Sequence, residues 1–362
     1  LRDTLVNNGY DSHRSIQIIG LIVTGVTFVV ILLGLVGNIL SMVVWSRPHL
    51  KSSSSVVLTT LAVCDTLVVL SGLWQDIPLF HQSLSGYKSI YPNFYSTIEN
   101  FIYYNYYTLW TRYIVSMVIY KMAVTASMYL TVIITVERYI CICHPFRFEE
   151  WCPYSRTCKF VALTLIFSVL YHLSGFWVLR LEEFPYFTDG KIITLYVPER
   201  TELHGNPYLG LIRNFWVKSF VDYLLPLSCI IILNIITYIK LRRINTKRRA
   251  ISDQQNNDNK LTKMVIYIVV EFLVCTALRW VTYLMPSTST YTFDQHCLLM
   301  QSRSFFNLVN SSVNFVTYFS SWPPFRKAFI KMFGCHKKRD QTPPDCPENP
   351  NHTPNQRKTS IK

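Results

Sequence analysis

The chain holds 362 residues, 50% of them hydrophobic and only 15% charged, with a mean hydropathy of +0.22 and 23 Tyr beside 22 Phe. That composition excludes an ordinary soluble multidomain protein and points to a chain that lives in the bilayer. The net charge of +14 does not call for nucleic acid, because an anionic inner leaflet and cytoplasmic partners account for basic loops.

Seven apolar stretches of spanning length are read at about 17 to 45, 55 to 79, 111 to 142, 159 to 180, 215 to 240, 263 to 285 and 299 to 321. An odd number of spans puts the termini on opposite sides. The connections at 46 to 54, 138 to 159 and 240 to 263, with the tail from 323, hold 23 of the 35 Lys and Arg. That side is expected to be cytoplasmic and the N-terminus outside, at the plasma membrane. The expected organisation is an extracellular N-terminus at 1–16, an all-α seven-transmembrane helix bundle at 17–321, an amphipathic juxtamembrane helix at 323–335 and a disordered cytoplasmic tail at 336–362. No signal-peptide pattern opens the sequence, so the first span is expected to insert itself. Of the ten cysteines only Cys297 falls outside in this topology, which leaves no intramolecular outer disulfide.

In chain order, the first span carries Gly34, Gly37 and Asn38, a small-residue face with an amide that needs a partner on another helix. Asp65 lies about ten residues into the second span, where an acid in lipid is functional by default or else glue between helices. Ser127 in the third lies eleven residues, about three turns, before Arg138 and shares its face. That span ends in Glu137-Arg138-Tyr139. An Arg entering a membrane helix costs on the order of 3 kcal/mol, and Glu137 beside it offers an ion partner. Residues 184 to 197 read as two strand-like runs about Asp189-Gly190, a hairpin lid on the outer side. Pro226 is expected to kink the fifth span in mid-helix. Glu271 is an acid in the sixth span to which no role is assigned. After the seventh, Phe325, Phe329, Met332 and Phe333 share a helical face with Arg326, Lys327 and Lys331 off it, and Cys335 is a palmitoylation candidate. The histidines are dispersed without metal-ligand spacing and read as surface or boundary residues; no phosphate loop is present, so no enzyme constellation is read.

Gly37-Asn38, Leu61-Ala62-Val63-Cys64-Asp65, Glu137-Arg138-Tyr139, Pro226, Phe272 with Cys275, Asn314 with Tyr318, and Phe325 stand in an order that makes the chain, from about 17 to 335, resemble rhodopsin-like (class A) G-protein-coupled receptors. Within that class, Thr135 to Ile140, Cys143-His144-Pro145-Phe146, Trp151-Cys152-Pro153-Tyr154 and Asn310 to Phe315 resemble invertebrate FMRFamide-type neuropeptide receptors. The resemblance implies a transducer rather than an enzyme. An extracellular peptide binds, the sixth helix swings outward, and Arg138, held at rest by Glu137, is released to a heterotrimeric G protein, with Tyr139, Asn314 and Tyr318 in the same switch. Arrestin, a receptor kinase and membrane lipid are further implied partners; nucleic acid is not.

By the same analogy Asp65, Ser127, Asn310 and Asn314 converge on a sodium ion, oxygen ligands suiting a hard cation, with an ion-free polar network as the alternative. No other cofactor is implied. Offsets from the family's anchors place Gln75, Asp76, Tyr120, Lys121, Val124, Asp222, Arg279, Tyr283, Arg303 and Ser304 around an outward-opening ligand pocket. Tyr120 where an amine receptor keeps its Asp argues against a biogenic amine, and Leu308 where an opsin needs its Lys excludes retinal. The guanidinium of an RFamide ligand would want a carboxylate from Asp76, Glu182, Glu183 or Asp222. Lys121 and Arg279 are expected either to pair internally with Asp222 or Glu183 or to meet an acidic ligand group. A divergent class A receptor for another peptide or small ligand, and a transporter, stay open as alternatives.

The sequence also departs from the family's pattern. Tyr113 stands where the third helix normally offers a disulfide Cys; Cys275-Thr276-Ala277-Leu278 lacks the Trp and Pro of Cys-Trp-x-Pro; Phe315 replaces the Pro of Asn-Pro-x-x-Tyr; and the fourth span lacks its mid-helix Trp. Activation that hinges on a proline kink and a moving indole must then be remodelled, or signalling is poor.

Overall fold

In a computed structural model of the chain the described residues are 2–85, 118–177, 179–188, 191–201, 212–247, 253–284 and 293–333. Helices α1 (Arg2–Trp45), α2 (Ser53–Ser85), α3 (Tyr120–Cys143) and α4 (Tyr154–His172) precede two antiparallel strands, β1 (Leu179–Thr188) and β2 (Lys191–Arg200). After these come α5 (Leu225–Lys247), α6 (Asp253–Leu284), α7 (Phe293–Ser321) and α8 (Pro323–Phe333). The long helices satisfy their backbone groups internally, as lipid demands. Leu33, Val36, Leu163, Leu170, Leu224 and Ile232 are all exposed, an apolar exterior that suits lipid and not water. Among the described residues six stretches are long and apolar enough to cross a membrane. α7 is not one of them, although its 29 residues suffice in length. Its Asn307, Ser311, Asn314 and Thr317 turn towards neighbouring helices, so its polarity is spent inside the bundle.

Several sequence boundaries shift for physical reasons. α1 runs back to Arg2, beyond the span edge read at 17, because a helix ladder need not stop where its side chains turn polar; the apolar span within it is Ile22–Trp45. α4 ends at His172 and is followed by a 3-10 turn, Leu173–Trp177; β1 starts at Leu179, so the hairpin is longer than residues 184 to 197. Thr188 pairs with Lys191; Asp189-Gly190, read as the turn, lies outside the described residues. Pro226 lies inside one continuous helical run, 212–247, as the sequence leads one to expect. Two π-helical stretches, Ile212–Val217 and Phe220–Leu224, stand immediately before it and lead into α5. The wide turns accommodate the ring and the backbone bond that its missing N–H leaves open.

α3 is central, in contact with α2, α4, α5 and α6, while α1 packs on α2 and α7. Among the described residues the largest buried cluster lies at the end of the bundle where α1 stops and α8 begins; there Trp45 stacks on Trp322 with ring centroids 4.8 Å apart and meets Tyr318 edge-on at 5.6 Å. α8 docks there through buried Phe325 and Ala328 and keeps Arg326, Lys327 and Lys331 outward. α7 passes through Phe315 unbroken. The Phe315 ring joins a row with Phe319, Phe325 and Phe329 at 5.6–6.0 Å. A Cβ on Gly37 would stand 2.9 Å from the Phe315 Cβ, so α1 needs a glycine where α7 has its phenylalanine.

Candidate functional site

The layer at the Glu137–Arg138 end, inner in the expected topology, begins with a capping pair. The Ser52 N–H donates to Ser55 Oγ at 2.9 Å and the Ser55 N–H to Ser52 Oγ at 3.2 Å, which fixes the start of α2. The first turn then presents Ser53 and Ser54 to α3, and both hydroxyls donate to Glu137 Oε1 at 2.7 Å. Arg138 Nη2 donates to the same oxygen at 2.9 Å and to Ser54 Oγ at 2.6 Å. One carboxylate oxygen thus takes three donors beside the positive end of α2. With side-chain exposures of 3% for Glu137 and 5% for Arg138, the pair is desolvated, and its stability depends on these surrounding bonds. Tyr139 is half-buried, its hydroxyl 3.4 Å from His144 Nε2.

The middle layer centres on Asp65, which is fully buried. Ser127 Oγ donates to its Oδ1 at 2.9 Å, Asn314 Nδ2 to its Oδ2 at 2.7 Å, and Ser311 adds a side-chain bond. Asn38 finds its interhelical partner in the Ser311 carbonyl, at 2.9 Å. Asn310 does not join Asp65; it lines an adjoining cavity of about 20 Å³ with Val124, Ser127, Phe272, Cys275, Thr276 and Asn307. Thr276, in the place of the family's indole, is part of that wall, and the space is enough for one water. Tyr318 is wholly buried, with its hydroxyl unbonded among the described residues. Glu271 has a partner: Thr317 Oγ1 donates to its Oε1 at 2.5 Å.

In the outer layer Arg279 Nη1 donates to Asn307 Oδ1 at 2.6 Å, Asn307 Nδ2 donates to the Tyr120 hydroxyl at 2.5 Å, and the Arg279 guanidinium lies 5.3 Å from the Tyr223 ring centroid. α6, α7 and α3 are thereby joined at one level. Asp222 accepts a bond from Tyr171 and feels Lys218, Arg279 and Lys121 through space. Lys121 and Arg279 thus act on Asp222 through space, and Arg279 also bonds Asn307 directly. Exposed Glu182 pairs with Arg180 on its own strand, and Glu183 is exposed. Ser304 is half-buried. The side chains of Gln75, Asp76, Tyr283 and Arg303, and all of Cys335, lie outside the described residues.

Sequence reasoning missed Ser53, Ser54, Asn307, Ser311, Thr317 and Tyr171. Asn307 was within reach, three and seven residues before Asn310 and Asn314 on one helical face. His172 is not an ordinary boundary histidine either, since its Nε2 lies 2.8 Å from Thr125 Oγ1 on α3.

Residues 37–322 match the family model of the 7 transmembrane receptor (rhodopsin family). The chain is 30% identical over 304 residues to an FMRFamide receptor of Drosophila melanogaster, covering 83% of this chain and 52% of that protein. It is 26% identical over 336 residues to a thyrotropin-releasing hormone receptor of Gallus gallus, with 86% and 78% covered. To an FMRFamide peptide receptor of Caenorhabditis elegans it is 24% identical over 319 residues, with 85% and 68% covered. The chain thus spans about half the length of the Drosophila relative and more of the other two. The matched segment contains the Glu137–Arg138 cluster, the Asp65 network and the Arg279–Asn307–Tyr120 chain, and leaves the transporter alternative without support. The chain belongs to the rhodopsin family of seven-transmembrane receptors.

Proposed function

We propose that the chain is a plasma-membrane receptor for an extracellular amidated neuropeptide of the FMRFamide class, signalling to a heterotrimeric G protein. The observation that carries the reading is the closed Glu137–Arg138–Ser53–Ser54 cluster at one end of α3. Eighteen residues away, about 27 Å of helix rise, Tyr120 anchors the outer polar chain, so the two layers stand about a bilayer apart. Two relatives named for FMRFamide support the ligand class. The peptide engages the outer layer, the equilibrium shifts to a state with α6 displaced at its inner end, and Arg138 leaves Glu137 for the G protein. The basic loops support an N-terminus outside and a C-terminus in the cytoplasm. Arrestin and a receptor kinase belong to the same cycle, with α8 and a lipidated Cys335 resting on the inner leaflet.

A sodium ion held through oxygen by Asp65, Ser127, Asn310 and Asn314 belongs to the same proposal. Ser127 and Asn310 line the small cavity of the middle layer, and Asp65 and Asn314, bonded to each other, would have to turn towards the ion. The ion would supply positive charge to Asp65 at rest.

Cells expressing the receptor, challenged with a panel of amidated peptides and read by calcium and cyclic nucleotide, should respond to an RFamide. Arg138→Ala should abolish the response at normal surface expression. A response that survives Arg138→Ala, or antibody to the basic tail staining unpermeabilised cells, overturns the reading.

A further inference from the structure

The switch described above leaves one acid unused. Glu271 sits on the seam between α6 and α7, where it accepts from Thr317 Oγ1 at 2.5 Å, and Thr317 is itself only 4% exposed. Its other oxygen, Oε2, is buried and has no hydrogen-bond partner among the described residues. An acid at membrane depth is costly, so the bond from α7 matters to where α6 can rest. A second tie crosses the same seam eight residues outward, from Arg279 to Asn307. Phe272, Cys275, Thr276 and Asn310, which line the cavity in place of an indole, lie between the two ties in sequence. α6 packs far more on α7 than on α3 or α5, and neither α6 nor α7 contains a proline. No proline kink therefore sets the position of the inner half of α6; side-chain bonds at this seam do.

We propose that Glu271 is a positioning residue for signalling: through Thr317 it latches the inner half of α6 against α7 at rest, and the bond opens when α6 moves to admit the G protein. The inference rests on the G-protein reading above. Thr317 is the donor and Glu271 the acceptor, so chemistry dictates which replacements preserve the latch. Glu271→Gln keeps a carbonyl acceptor and Thr317→Ser keeps the hydroxyl. Glu271→Leu and Thr317→Val lose the bond with little change of volume. Because the two residues act as a unit, the double variant should behave like either single one.

The test is basal nucleotide exchange by purified heterotrimeric G protein added to vesicles of the full-length receptor, normalised to receptor content. Thr317→Val, Glu271→Leu and their combination should raise exchange by a common factor of about 3- to 20-fold, the range for one interhelical hydrogen bond in a membrane. Thr317→Ser and Glu271→Gln should stay near wild type, which a merely structural role for bulk at these sites does not require. Thr317→Val at or below wild-type exchange, or a double variant whose effect multiplies those of the singles, overturns the latch. Arg138→Ala separates the two ways of failing. Exchange that ignores Arg138 in every receptor removes the G-protein reading and the latch with it; exchange that needs Arg138 and ignores Thr317 removes the latch alone.

Discussion

Ser54 Oγ touches both charges of the inner lock, donating to Glu137 at 2.7 Å and accepting from Arg138 at 2.6 Å. Ser54→Ala removes both bonds and leaves Ser53 and the direct 2.9 Å contact in place. A hydrogen bond to a charged group contributes about 1.5–3 kcal/mol, and at 3% and 5% exposure salt screens little of it. Both bonds come from one hydroxyl, and a water can answer part of the loss. We therefore expect the resting state to weaken by about 2 kcal/mol, on the order of 30-fold in the resting-to-active ratio. Ser53→Ala removes a single bond and should cost about half as much. The assay is ligand-free nucleotide exchange per surface receptor, with Ser54→Thr as the variant that keeps the hydroxyl. Basal exchange in Ser54→Ala no higher than wild type, or lower than in Ser53→Ala, would refute the reasoning.

Gly37→Ala places a methyl 2.9 Å from the Phe315 Cβ and should lower the melting temperature of the solubilised receptor; in a Phe315→Gly background, which lacks that Cβ, the same alanine should cost less, and an unshifted midpoint for Gly37→Ala alone would show that α1 and α7 are less close. Asp65→Asn should remove any dependence of agonist binding on sodium, so a sodium effect that survives it argues against an ion at Asp65. With Tyr113 in place of a cysteine, mild reducing agent should leave peptide affinity unchanged, and a marked loss would reveal an outer bridge.

Local features were legible in the sequence because a helix repeats. The spans, the face shared by Ser127 and Arg138, the hairpin pattern and the amphipathic stretch from Pro323 all follow from period and polarity. The anchors of those faces were not legible. That Glu137 rests on Ser53 and Ser54, or Glu271 on Thr317, depends on how far each helix is rotated and raised against its neighbour, and no single helix encodes that. Polarity marks the membrane edge of α1 and not the end of its backbone ladder, which continues to Arg2 beyond the apolar span Ile22–Trp45.

The missing prolines of α6 and α7 shift attention to the span that is irregular. α6 and α7 run unbroken for 32 and 29 residues, whereas α5 is entered through two π-helical stretches, a geometry frequent at functional sites. Within the second stretch the Val221 carbonyl accepts from the Tyr129 hydroxyl of α3 at 2.8 Å. Its neighbour Asp222 faces Tyr171, Lys121 and Arg279 in the outer layer. A ligand group drawn to Asp222 therefore pulls on a backbone that is bonded directly to α3, nine residues or two and a half turns from Arg138. Tyr129→Phe cuts that bond with almost no change of shape. It should lower the maximal response to peptide several-fold while leaving peptide affinity within about twofold, because Tyr129 bonds the backbone and lies below the outer layer. An unchanged maximal response would place the path from ligand to Arg138 in α6 after all.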